Sequence, residues 1–110
     1  MAGITKKNKK GEPMSLLIDF SMFPLDKGES VSPYVSRLLK VIRESGLPHK
    51  LGPMGTSIEG EWHQIMAVVT NCFEELSQDC DRVYFAIKGD YRKKGEDRIT
   101  TKVESVEKKL

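Results

Sequence analysis

The sequence predicts an α+β domain of the ferredoxin-like class, a two-layer sandwich in the order βαββαβ with an extra C-terminal helix. Three observations predict it. Apolar residues alternate over residues 14–23 and again over 82–90, the period of a half-buried strand. They recur every three or four residues after Ser32 and after Trp62, the period of an amphipathic helix. Between those helices lies a Gly- and Pro-punctuated stretch suited to two short strands. Two helices returning to one sheet are the split βαβ arrangement.

A length of 110 residues allows one domain. With 38% hydrophobic and 31% charged residues the chain is too apolar for a disordered one. The net charge of +2 is carried by the run Lys6, Lys7, Lys9 and Lys10, so the remaining body is near neutral. Residues 1–13 have no periodicity and read as a disordered basic tail, and residues 14–110 as the folded domain. No apolar run approaches the roughly 18 residues of a membrane span, and no secretory signal is visible at the N-terminus. Cys72 and Cys80 lie in or just after one helix, roughly 12 Å apart along its axis, too far for a disulfide. They read as reduced thiols, Cys72 packed and Cys80 open to solvent, in a cytoplasmic protein.

The first strand spans Met14 to Phe23. Leu16, Ile18, Phe20 and Met22 make one apolar face; Leu17, Asp19, Ser21 and Phe23 make a mixed one. A sheet covered on one side only has this pattern. Ser32 is placed as the N-cap of the first helix, with Pro33 at its first position. Val35, Leu38, Leu39 and Ile42 form its buried stripe. Gly46 ends it as a left-handed cap, and Pro48 blocks its continuation. His49 to Leu51 and Thr56 to Glu59 are the two short strands. The second helix runs from Trp62 to Ser77, with Glu61 at its N-terminus, where an acid is favoured. Its predicted stripe is Trp62, Ile65, Met66, Val69, Cys72, Phe73 and Leu76. The last strand is Arg82 to Asp90, with Val83, Phe85 and Ile87 opposite Tyr84, Ala86 and Lys88. A charged loop leads to a short helix over Thr100 to Lys109. The uncovered sheet face would carry Leu17, Asp19, Ser21, Phe23, Ser57, Glu59, Tyr84 and Lys88, a candidate surface for sheet-on-sheet association.

The segment from Gly52 to Gly60 holds more glycine than one hairpin requires. Thr56, Ser57 and Glu59 supply two hydroxyls and a carboxylate beside backbone that glycine leaves open. That combination suits an amine-bearing ligand, and equally a bulged hairpin with Glu59 as a surface charge.

The run Pro53-Met54-Gly55-Thr56-Ser57-Ile58-Glu59-Gly60 resembles the PMGT-x-x-EG signature of the thiamine-binding protein family. Three further segments resemble it in the same order: Ser21 to Leu25, Ser32 to Val35, and the closing set Arg98, Lys102, Val103, Ser105 and Val106. The resemblance covers about residues 14 to 107. It implies non-catalytic binding of thiamine or its hydroxymethylpyrimidine part, with dimers pairing into tetramers through their sheets. By matched position it implies pocket residues Ser21, Gly55, Thr56 and Glu59, supported by Met22, Met54, Arg98 and Lys102. The rival reading is a structural or regulatory homo-oligomeric module without a ligand. An aminopyrimidine offers donors and acceptors to Ser, Thr and Glu, and a thiazolium cation suits an aromatic face such as Phe23, Tyr34, Trp62 or Tyr84.

Other chemistries find little support. His49 and His63 lack the spacing of a metal site, so no metal or cofactor is expected. No P-loop, GxGxxG or nucleophile–His pairing is present. An RNA-recognition module shares this element order but needs aromatic residues on the third strand, where Thr56-Ser57-Ile58-Glu59 has none. Nucleic acid is therefore disfavoured as a partner.

Overall fold

A computed structural model describes residues 15–94 and 97–110. The expected basic tail over residues 1–13 lies outside them. The elements are β1 (Ser15–Pro24), α1 (Ser32–Glu44), β2 (His49–Leu51), β3 (Thr56–Gly60), α2 (Trp62–Ser77), β4 (Val83–Arg92) and α3 (Arg98–Glu107). The four strands form one antiparallel sheet in the order β2-β3-β1-β4. This is the ferredoxin-like topology that the element order predicts.

Leu16, Ile18, Phe20 and Met22 of β1 are all buried under α1 and α2, as the alternation requires. They meet Ile58 of β3, Leu38 and Ile42 of α1, and Ile65, Val68, Cys72 and Leu76 of α2. Glu61 caps α2: its carboxylate accepts from the His63 and Gln64 amides, and the Gln64 side chain accepts from the Glu61 amide. Gly46 has φ +74°, the left-handed value that lets the chain leave α1 without a side-chain penalty.

Four expectations are corrected. Ser32 is inside α1 rather than its cap; Val31 holds that position with no side-chain cap, and its carbonyl accepts from the Tyr34 and Val35 amides. Pro33 has no N–H, so one fewer helix donor needs a partner. The buried stripe of α2 includes Val68, while Trp62 and Phe73 are about half exposed at 49% and 48%. The helix is rotated from the expected stripe because α2 packs on β1 and β3 near the sheet centre. Phe85 and Ile87 share the helix-facing side with Met22 and Phe20, yet are exposed, because β4 is the sheet edge beyond the helices. Cys80, expected to be open, is buried against the core.

β4 also runs two residues past the expected Asp90, and α3 begins at Arg98 rather than Thr100. No helix among the described residues is long and apolar enough to cross a membrane.

Candidate ligand-binding site

The site follows from a mismatch in strand length. β1 pairs with β3 only as far as Phe20 opposite Thr56. It continues with β4 to Pro24 opposite Val83. Among the described residues, no strand therefore lies beside β1 on its β3 side over Ser21 to Pro24, and a notch opens in the sheet. The β2–β3 turn borders this notch, closed by the Gly52 amide donating to the Gly55 carbonyl at 2.8 Å.

A cavity of about 480 Å³ occupies the notch. That is within the usual range for small-molecule sites, roughly 300–1,000 Å³. Its floor is Phe20, Met22 and the α1 residues Leu38 and Ile42; its other walls include Ser21, Gly55, Thr56 and Met54. The lining is mostly apolar, with a few hydroxyl and backbone groups, the usual composition of a small-molecule site. At its margin Phe23 and Tyr84 stack in a tilted pair with centroids 5.3 Å apart.

Gly55 is required here for space rather than for φ. A Cβ on it would lie 2.9 Å from Asp19 Oδ1 and 3.1 Å from the Phe20 carbonyl oxygen. Only a residue without a side chain lets the turn approach β1 this closely. Met54, at the turn's tip, is 88% exposed.

Five of the eight residues expected in the pocket thus line one cavity: Ser21, Met22, Met54, Gly55 and Thr56. Glu59, Arg98 and Lys102 do not. They form a clasp that holds α3 on the open sheet face. Glu59 is buried, and its Oε2 accepts from Ser15 Oγ at 3.0 Å and from the Arg98 amide at 3.0 Å. Its Oε1 accepts from the Ile99 amide at 3.3 Å. These amides begin α3, whose own cap residue Asp97 has φ 55° and no side-chain cap bond. A carboxylate from β3 thus serves the helix N-terminus, where negative charge is favoured.

The Arg98 guanidinium, also buried, donates to Ser15 Oγ and to the Ser15 and Asp90 carbonyls, and pairs with Asp90 Oδ2 at 3.0 Å. Lys102 Nζ donates to the same Oδ2 at 2.8 Å. The Lys102 bond holds the Asp90 carboxyl below the ordinary carboxylate range, with Arg98 and Arg92 adding to the effect. Lys102 also borders a shallow groove with Leu17, Asp19, Ser57 and Lys88. Ser15 and Asp90 were not singled out from sequence. Their role depends on pairing across three strands, which no local spacing reveals.

The thiamine-binding protein family profile matches residues 18–107. The chain belongs to this family. It is 42% identical to a UPF0045 protein of Mycobacterium bovis over 98 residues, covering 88% of this chain and 96% of that one. A UPF0045 protein of Synechocystis is 32% identical over 100 residues, covering 90% and 83%. Among solved structures, a Methanocaldococcus jannaschii protein superimposes with a TM-score of 0.78 at 31% identity, covering 84% of this chain and 96% of that one. A Thermotoga maritima protein, described as a candidate thiamine biosynthesis or salvage protein, shares the fold with a TM-score of 0.70 at 22% identity, covering 87% and 99%.

Proposed function

We propose that this protein binds thiamine or its hydroxymethylpyrimidine part in the notch between β1 and the β2–β3 turn, without catalysing a reaction. The observation that carries the reading is the cavity itself. It lies where β1 overruns β3, and it gathers Ser21, Met22, Met54, Gly55 and Thr56, five residues implied by the family resemblance. An aminopyrimidine can exchange hydrogen bonds with the Ser21 and Thr56 hydroxyls and with backbone groups of the unpaired β1 edge. Its flat ring suits the apolar floor of Phe20, Met22 and Leu38. Family membership supports the ligand class.

In this reading the protein acts in the cytoplasm, where its two free cysteines suit a reducing environment. It needs no metal or cofactor. It works as a homodimer that pairs into a homotetramer through its sheets. Isothermal titration with thiamine and with hydroxymethylpyrimidine tests the ligand. Saturable heat, lost in Ser21→Phe, which fills the notch, is the expected result. No heat and no thermal shift with millimolar ligand would refute binding and leave the ligand-free assembly module as the better account. That second reading draws on the exposed apolar side chains of β4, Phe85, Ile87 and Tyr91.

A further inference from the structure

The cavity takes its walls from both faces of the sheet. Phe20 and Met22 of β1 point toward the helices and belong to the core. Side chains alternate along a strand, so Ser21 and Phe23 point to the open face, as do Ala86 and Tyr84, which stand opposite them on β4. All six line the same cavity. It reaches both faces because, among the described residues, no strand lies beside β1 on its β3 side over Ser21 to Pro24. One molecule in the notch can therefore touch both sides of the sheet.

The two ends differ in chemistry. The helix side is aliphatic, with Val35, Leu38 and Ile42 of α1 over Phe20 and Met22. The open side holds Phe23 and Tyr84, with ring centroids 5.3 Å apart and planes inclined by 36°. Tyr84 is 51% exposed, so its ring keeps surface for a ligand. Ser21 and Ala86 are small and leave space beside the pair. Among the described residues, no charged side chain lines the cavity. A cation there meets ring faces rather than a carboxylate. Tyr34 already carries the Arg37 guanidinium 5.5 Å from its ring centroid, and neither Tyr34 nor Trp62 lines the cavity. Asp19, the preceding residue on the open face of β1, stands opposite Lys88 and is outside the lining.

We propose that Phe23 and Tyr84 form a second subsite of the notch, which takes the cationic ring of a two-ring ligand while an uncharged heteroaromatic ring lies beside Ser21 and Thr56. The inference rests on the proposed function and deepens it: Tyr84 becomes the residue that distinguishes thiamine from its hydroxymethylpyrimidine part. Ser21 and Phe23 are two residues apart on one face of β1, roughly 7 Å. That is comparable to the offset between two rings joined through a single carbon, as they are in thiamine. The thiazolium is attracted by the negative face of an aromatic ring. Hydroxymethylpyrimidine has no cationic ring and gains nothing from the pair.

Isothermal titration of the full chain with thiamine, with hydroxymethylpyrimidine and with a neutral thiophene analogue of thiamine tests the subsite. Wild type should bind thiamine about tenfold more tightly than either other compound. Tyr84→Leu keeps apolar bulk and removes the ring face. It should lose that preference while binding hydroxymethylpyrimidine as wild type does, and Tyr84→Phe should keep the preference. Phe23→Leu should reduce it. Asp19→Asn should leave it unchanged. Sedimentation of each variant checks that its assembly is that of wild type. Equal wild-type affinities for thiamine and the neutral analogue would overturn the subsite and leave the proposed function standing. So would an equal loss of both ligands in Tyr84→Leu, or a preference lost in Asp19→Asn and kept in Tyr84→Leu. Wild type that binds none of the three compounds would overturn both readings.

Discussion

Glu59→Gln separates two roles that the same carboxylate could play. The substitution keeps the shape of the side chain but removes its charge and replaces one acceptor oxygen by an NH₂ group. Glu59 accepts three hydrogen bonds in a buried position, from Ser15 Oγ and from the Arg98 and Ile99 amides. A glutamine can keep its oxygen toward Ser15 and Arg98, but its NH₂ then faces the Ile99 N–H, donor against donor. One hydrogen bond to a charged group is worth about 1.5–3 kcal/mol. The lost anion at the start of α3 adds about 0.5–1 kcal/mol. The sum, about 2–4 kcal/mol, corresponds to a fall in Tm of about 10–20 °C for a domain of this size. Differential scanning calorimetry at fixed protein concentration measures it, since any assembly makes Tm concentration-dependent. Because Glu59 is not among the cavity residues, thiamine affinity should be unchanged. A variant with wild-type Tm and no thiamine binding would refute the reasoning and make Glu59 a ligand group.

Three more outcomes are expected. Gly55→Ala should push the β2–β3 turn away from Asp19 and Phe20, costing about 1–3 kcal/mol and weakening ligand binding, measured by urea denaturation and titration. Arg37 donates to Asp79 and Glu75 across α1 and α2, and its bonds to Asp79 hold that carboxyl below its ordinary range. A depressed native pKa stabilises the fold above the unfolded value, about 4, and the contribution is lost as pH falls through the native value. Wild-type stability should therefore drop more between pH 5 and pH 3 than that of Arg37→Ala; equal drops would exclude the link. Burial pushes the Cys72 thiol up to about 12, so it should resist a thiol reagent at pH 8 until denaturant is added.

Much of the fold was legible because its signals are local. Alternation in β1 named its four core residues, and the Trp62–Ser77 bounds of α2 were readable from a capping acid and helical spacing. The stripe of α2 was less legible. Trp62 and Phe73 are as apolar as Val68, and only the position of α2 over β1 and β3 decides which of them is covered. Arg98 and Lys102 carried no local signal of their purpose either. As surface-type residues in a charged stretch they gave no sign that one would be buried beside Ser15, far away in sequence.

By itself the sequence determined the element order, the buried face of β1, both ends of α2, the glycine stop after α1 and the family signature around Gly55, since each depends on neighbours a few residues apart. Tertiary structure alone decided how the signature divides. The overrun of β1 past β3 places Gly55 and Thr56 at a cavity, while the register of β3 on β1 turns Glu59, three residues further on, toward Ser15 and the start of α3. The physical reason is that strand register and length mismatch are properties of paired strands, and a pair exists only once distant segments have met.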